Sequence, residues 1–277
     1  VKNNLTIIIP TLNSTGDVAQ DKKIHFAFAN CLSSLGETVP DIPVIVASNG
    51  NDPGYLPMYL HPKSTRINLW EQGQCKAVNA AVAMTNTEWI MVSNDDQIYP
   101  PNWLEKLFHN IGNDYSCISP QLVEPNEGAP TFIKYFCGVA GGDFDKEKFI
   151  DYSETHVPPY PSCRTGFNLP FIIKRELWDL IGGYDINYDP WGSNSDSDLE
   201  YKIKLAGVQP VQNQNSLVYH FSQTSGTFNP ANHEHWQRNF KYFEDKWGFP
   251  RTDDGIWEAN FTIPMDKLKY KPLWGKY

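Results

Sequence analysis

Short runs of β-branched apolar residues, each closed by a polar or turn-forming cluster and separated by segments of helical character, govern what this chain can fold into. Leu5 to Ile9 is closed by Pro10, and Pro43 to Ala47 repeats the pattern before Ser48-Asn49-Gly50. Apolar runs without polar alternation belong to strands buried on both faces. Between them His25 to Leu35 has helical character and ends at Gly36, which makes a strand, helix, strand unit. The alternation continues with a strand at Arg66 to Leu69, an Ala-rich helix at Cys75 to Met84, and a strand at Trp89 to Ser93 that runs into Asn94-Asp95-Asp96. Asn102 to Ile111 follows Pro100-Pro101 with apolar residues at helical spacing and ends at Gly112. These segments predict an α/β fold with a Rossmann-like open, mostly parallel sheet flanked by helices. No G-x-G-x-x-G and no P-loop occurs, so a nucleotide would have to be held in another way.

The segment from about Val123 to Pro170 is rich in Pro, Gly and aromatics and reads as loops and irregular strands. Order returns with a strand at Phe171 to Lys174, a helix at Arg175 to Ile181 stopped by Gly182-Gly183, and a helix over about Asp196 to Ala206 stopped by Gly207. Asn229-Pro230 then opens a helix that ends at Gly248. Its Trp236, Phe240, Phe243 and Trp247 form one stripe, read as core packing. The expected organisation is one domain over residues 1–248, in halves of about 1–120 and 121–248, with an extension over 249–277 packed on it.

With 40% hydrophobic and 20% charged residues and no low-complexity tract, the chain is globular rather than disordered. Its net charge of -9 excludes a nucleic acid as the main partner, because that requires a basic footprint. An acidic chain can still take a phosphorylated ligand if a divalent cation neutralises the phosphates. Cys31, Cys75, Cys117, Cys137 and Cys163 are odd in number and show no C-x-x-C spacing, which fits neither a disulfide framework nor a zinc site. A reducing, cytoplasmic setting is expected. No apolar run approaches the roughly 20 residues of a membrane span. The stretch Lys267 to Tyr277 mixes four lysines with Tyr270, Leu273, Trp274 and Tyr277. Two readings stand: a tail packed through its aromatics, and a peripheral contact with a membrane surface.

Three groups of residues carry chemistry. Asn94-Asp95-Asp96 lies at the carboxyl end of a strand, where open α/β sheets place their ligands. Adjacent carboxylates there either form an ordinary polar turn or hold a hard cation, Mn²⁺ or Mg²⁺. Ser195 and Asp198 are spaced as a capping box, and acids in a first helical turn favour the macrodipole. The same helix mouth, beside Gly182 to Asp185 and Trp191, is also a place to hold a general base. His220 ends a strand and is either a half-buried polar residue or a metal ligand, whereas His233 and His235 point to different helix faces.

In order and spacing these segments resemble family 2 glycosyltransferases over Leu5 to about Gly248. Leu5 to Asn13 is similar to the family's opening strand and donor loop, and Val92 to Asp96 followed by Trp103-Leu104 to its D-x-D segment and next helix. Ile172 to Arg175 with Gly182 to Asp185 resembles the turn below the acceptor site, Asp196 to Leu199 the helix with the family's E-D pair, and Tyr242 to Gly248 the late helix. The resemblance implies a GT-A fold with a smaller antiparallel acceptor-side region, and an inverting transfer from a nucleotide-diphosphate sugar to a glycan or lipid-linked saccharide. It implies Asp196 as the catalytic base and Asp96 with His220 as ligands of the Mn²⁺ or Mg²⁺. Donor contacts fall at Pro10, Thr11, Asn13, Ser48, Asn49, Asn79, Asn94 and Asp95, and acceptor contacts at Gly183, Trp191 and Asp198.

Three positions depart from the family's pattern. Asn94 replaces the first Asp of the D-x-D, Ser195 the first acid of the E-D pair, and Ser48 an Asp that meets the nucleobase. The losses at 94 and 195 keep a non-catalytic saccharide-binding descendant in view, and the paired Asp residues a metal-dependent nucleotidyltransferase.

Overall fold

The computed structural model describes residues 4–12, 14–50, 56–109, 115–126, 132–156, 158, 163–222, 224, 230–251 and 261–274. Asn13, Ile111, Gly112 and Tyr277 lie outside the described residues, but the helix expected over Asn102 to Ile111 already ends at Phe108, where His109 turns extended.

Strands β1 (Leu5–Leu12), β2 (Val44–Asn49), β3 (Ser64–Leu69) and β4 (Trp89–Val92) are parallel, with β1 between β2 and β4. The unbroken apolar run of β1 follows from this central position. Ile8 packs with helix α2 (Gln74–Ala83), while Ile7 and Ile9 pack on the other face with α1 (Val18–Thr38). Burying each of these isoleucines contributes about 1.5–3 kcal/mol.

Helix α1 begins well before the expected His25, because Asp17 caps it by accepting from the amides of Ala19 and Gln20. It also runs past Gly36 to Thr38. Gly36 does not stop the helix; a Cβ there would lie 2.2 Å from the Leu60 carbonyl oxygen, so glycine serves a close backbone approach.

Strand β5 (Gln97–Ile98) and helix α3 (Trp103–Phe108) lead to β6 (Cys117–Glu124) and β7 (Ile133–Lys134). Pro120 inside β6 argues against a strand in the sequence, yet β6 is buried along its whole length and pairs with strands on both sides. Helix α4 (Lys146–Thr155) lies in the segment read as loops. Only Phe149 and Ser153 of α4 are buried, too narrow a stripe to give a hydrophobic period, and Asp145 sets its start by accepting from the Lys148 amide.

The remaining elements are β8 (Cys163–Thr165), β9 (Phe171–Lys174), α5 (Arg175–Ile181), α6 (Ser195–Leu205), β10 (Val211–His220) and α7 (His233–Trp247). One sheet runs in the order β3, β2, β1, β4, β9, β6, β10, β5, with β7 on β6 and β8 on β10. Antiparallel pairing is confined to its later half: β9 opposes β4 and β6, while β5 and β8 oppose β10. Phe243 and Trp247 of α7 are fully buried in the layer that also holds α2, α5 and α6. After α7 the chain returns across it: the Lys269 amide donates to the Trp247 carbonyl, and the Tyr270 ring centre is 4.8 Å from that of Trp247. All five cysteines are free. Among the described residues no helix is long and apolar enough to cross a membrane.

Candidate active site

The turn after β4 is held by buried polar contacts. The Gln97 side-chain oxygen accepts from the Asn94 amide at 3.0 Å and from the Ser93 hydroxyl at 3.1 Å, and its Nε2 donates to the Leu169 carbonyl at 2.7 Å. The Phe221 amide donates to the Asp96 carbonyl, which clips the end of β10 onto this turn. Pairing of His220 with Gln97 then sets the imidazole beside Asp96, with Nε2 3.2 Å from Asp96 Oδ1.

Behind the imidazole, Nδ1 lies 2.7 Å from Oε1 of Glu124, a buried carboxylate at the end of β6. Burial pulls the His220 pKa down, but the Asp96 and Glu124 carboxylates outweigh it and hold the group at about 10. Burial raises Asp96, and the His220 charge more than reverses this, leaving it below the usual carboxylate range. Asp95 goes the other way: burial and the Asp96 charge push it up, against a 2.6 Å bond from the Thr11 hydroxyl.

Across the cavity, Asn194 takes a left-handed conformation at φ 67° and α6 starts at Ser195. Ser195 is therefore inside the helix, and no side chain caps this end, so the expected capping box with Asp198 does not form. Asp196 faces the cavity, and its Oδ1 accepts from the Tyr184 hydroxyl at 2.8 Å. Burial raises its pKa to about 6, opposed by the Tyr184 bond and the Arg251 charge. Trp191 is carried on a loop tied to α2, since the Asp189 carboxylate accepts from the amides of Cys75 and Lys76.

The resulting cavity has a volume of about 360 Å³. Of the residues singled out in the sequence, Pro10, Asn49, Asn94, Asp95, Asp96, Trp191, Asp196 and His220 line it. Thr11 reaches it only through Asp95. Ser48 is buried on β2 beside β3, where its hydroxyl accepts from Arg66.

Three further expected residues, Asn79, Gly183 and Asp198, also do not line the cavity. The Asn79 amide is used at both ends, its Nδ2 donating to the Tyr184 carbonyl at 2.8 Å and its Oδ1 accepting from the Tyr184 amide at 3.0 Å. Gly183 is packed against the same clamp: a Cβ on it would lie 2.7 Å from Asn79 Oδ1 and 2.9 Å from the Trp178 ring, so it has no face for an acceptor. Asp198 is fully buried on the core side of α6, where it accepts from Trp247 Nε1 at 2.9 Å and meets Lys246 Nζ at 2.7 Å. Residues two apart on a helix face opposite ways, so Asp196 and Asp198 cannot both face the cavity.

Glu124, Glu200 and Arg251 were not found from the sequence. Glu200 lines the cavity one turn beyond Asp196, a spacing that was a usable signal. Arg251 also lines it and donates to Asn194 Oδ1 at 2.9 Å. Glu124 had no local signal, because only the pairing of β6 with β10 brings it to His220.

The fold is GT-A. The chain superposes on GalNAc-T7 in its crystal structure with UDP, GalNAc and Mn²⁺, at TM-score 0.60 and 14% identity over 88% of this chain and 48% of that one. It also superposes on the mannosyltransferase PcManGT from Pyrobaculum calidifontis in complex with GDP-Man and Mn²⁺, at TM-score 0.53 and 16% identity over 89% of this chain and 66% of that one. The chain thus spans about half the length of the first and just under two thirds of the second. No curated protein sequence matches it. The model of glycosyl transferase family 2 matches residues 6–157, more than half of the 277, and the chain belongs to that family.

Proposed function

We propose that the chain transfers a glycosyl group from a nucleoside-diphosphate sugar to a hydroxyl of a glycan or lipid-linked saccharide, with inversion at the anomeric carbon. The observation that carries this reading is that Asp96, His220 and Asp196 all open into one cavity. Both structural neighbours were solved with Mn²⁺ and a nucleotide, which supports a metal-assisted donor site.

Asp96 Oδ1 and His220 Nε2 make a mixed oxygen and nitrogen pair that fits Mn²⁺, or Mg²⁺ less closely. The Asp96 and Glu124 carboxylates hold the imidazole protonated, so a cation would bind Nε2 by displacing its proton, with Nδ1–H left donating to Glu124 and fixing the tautomer. Among the described residues no three His, Cys, Asp or Glu side chains converge on one point, so Asp96 and His220 would hold the cation together with ligands from outside the chain. The bound cation supplies charge stabilisation for the departing diphosphate.

Asp196 takes the proton from the acceptor oxygen as that oxygen attacks the face of the sugar opposite the diphosphate. The Tyr184 hydroxyl engages Oδ1, which orients the carboxylate and leaves Oδ2 for the acceptor. Pro10, Asn49, Asn94 and Asp95, which line the cavity, border the donor, and Thr11 steadies Asp95. Trp191, Trp236 and Phe240 offer aromatic surface to the acceptor ring.

Melting curves with a panel of nucleoside diphosphates, with and without Mn²⁺, test the reading. A ligand at about 100 times its Kd stabilises by about 2.7 kcal/mol, and this gain is expected only with the cation present. Product analysis completes the test. Release of the intact nucleoside diphosphate is expected, and release of pyrophosphate identifies a nucleotidyltransferase instead.

A further inference from the structure

Asp196, Ser197 and Glu200 all border the cavity, as residues stacked three and four apart on one face of α6. Glu200 is fully buried, and neither of its carboxyl oxygens has a hydrogen-bond partner. Lys204, one turn further on, does not supply one: its ammonium is directed to the Phe261 carbonyl and ring. An unpartnered buried carboxyl disfavours the fold, and such groups persist where a ligand completes them.

Phe167, Leu169, Trp236 and Phe240 give the same cavity apolar surface beside its polar groups. Burial drives the Glu200 pKa well above the usual carboxylate range, against the Lys204 charge. A neutral carboxyl offers one O–H donor together with acceptor oxygens. A sugar hydroxyl, which also donates and accepts, matches it; a phosphate or carboxylate leaves acceptors facing each other. The acidic and imidazole groups assigned to the donor diphosphate sit on β10 and the turn after β4, not on α6.

We infer that Glu200 selects the acceptor, its carboxyl hydrogen-bonding a hydroxyl of the acceptor sugar one helical turn from the hydroxyl that Asp196 deprotonates. The spacing of i and i+4 side chains, about 5–6 Å between Cβ atoms, suits two hydroxyls of one pyranose. This rests on the glycosyl-transfer reading.

Glu200→Leu and Glu200→Gln are compared with the unaltered chain by saturation-transfer NMR, with Mn²⁺ and UDP or GDP present. The probes are methyl hexopyranosides of gluco, galacto and manno configuration and singly deoxygenated forms of the tightest binder. Leucine is expected to weaken saccharide binding about tenfold, and glutamine, which keeps a donor and an acceptor, by less. One deoxy sugar should bind the unaltered chain with the same loss yet be indifferent to the leucine substitution. Nucleotide binding should stay within about twofold, because the donor groups are untouched.

Unchanged saccharide binding in the leucine variant, with nucleotide binding intact, overturns the inference alone. Absence of nucleotide and Mn²⁺ binding by the unaltered chain overturns the functional reading and the inference together. Should the leucine variant fail to fold, the deoxy series on the unaltered chain and the glutamine variant decides. Equal binding of every deoxy sugar to the unaltered chain then overturns the inference.

Discussion

His220 Nδ1 stands 2.7 Å from Glu124 Oε1 while its Nε2 stands 3.2 Å from Asp96 Oδ1, so one imidazole joins the ends of β6 and β10 to the turn after β4. Glu124 thereby decides which ring nitrogen is left for the cavity. A ligand histidine held by a carboxylate keeps its tautomer and gains basicity.

Glu124→Gln removes that charge while keeping the shape of the side chain. Mn²⁺ affinity, measured by calorimetry with a saturating nucleoside diphosphate, is expected to fall by about 10-fold or more. Unaltered Mn²⁺ affinity would show that His220 does not depend on Glu124.

Asp196→Asn keeps the bond from Tyr184 possible but removes the proton acceptor. Turnover is expected to fall by at least about 100-fold with donor binding preserved. Single-turnover rates and nucleotide titrations separate these two quantities, and full activity in the variant removes Asp196 from the mechanism.

The pH profile follows from the same carboxyl. Burial raises its pKa to about 6, and the base must be ionised to accept a proton. Below pH 6 the protonated form accumulates, so kcat/KM should fall about tenfold per pH unit, and above it this group leaves the rate flat. In Asp196→Asn the residual rate should lose that acid limb; a limb that persists belongs to another group.

Asn79→Ala separates a structural role from a donor contact. It removes two hydrogen bonds to the Tyr184 backbone and is expected to cost about 1–3 kcal/mol in denaturant unfolding. Nucleoside diphosphate affinity should not change once the variant is folded. A specific loss of nucleotide affinity with stability intact would return Asn79 to the donor site.

Much of the scaffold was legible because burial imprints a local period. Both faces of β1 are covered, which forces Leu5 to Ile9 to be apolar throughout; the α7 stripe read as core is only half so, since Phe243 and Trp247 are buried whereas Trp236 and Phe240 line the cavity. The turn at Asn94 to Asp96 was legible because a strand ending in adjacent acids is a local pattern. Elements without such a period were not. β6 contains Pro120, and α4 buries two side chains, so neither leaves a repeat to read.

Residue chemistry and chain-local pattern were enough to propose an open α/β sheet and to mark the Asn94 to Asp96 turn, the helix mouth at Ser195 to Asp198 and His220 as groups worth explaining, and the family resemblance narrowed these to Asp96, Asp196 and His220. Which way each side chain turns came from contacts between distant segments: Glu124 meets His220 through β6 and β10, and Asp198 turns inward to Trp247 and Lys246 while Asp196 turns outward. Local sequence carries the period of a helix or strand but not the direction in which its faces point, because that direction is set by whichever element packs against it.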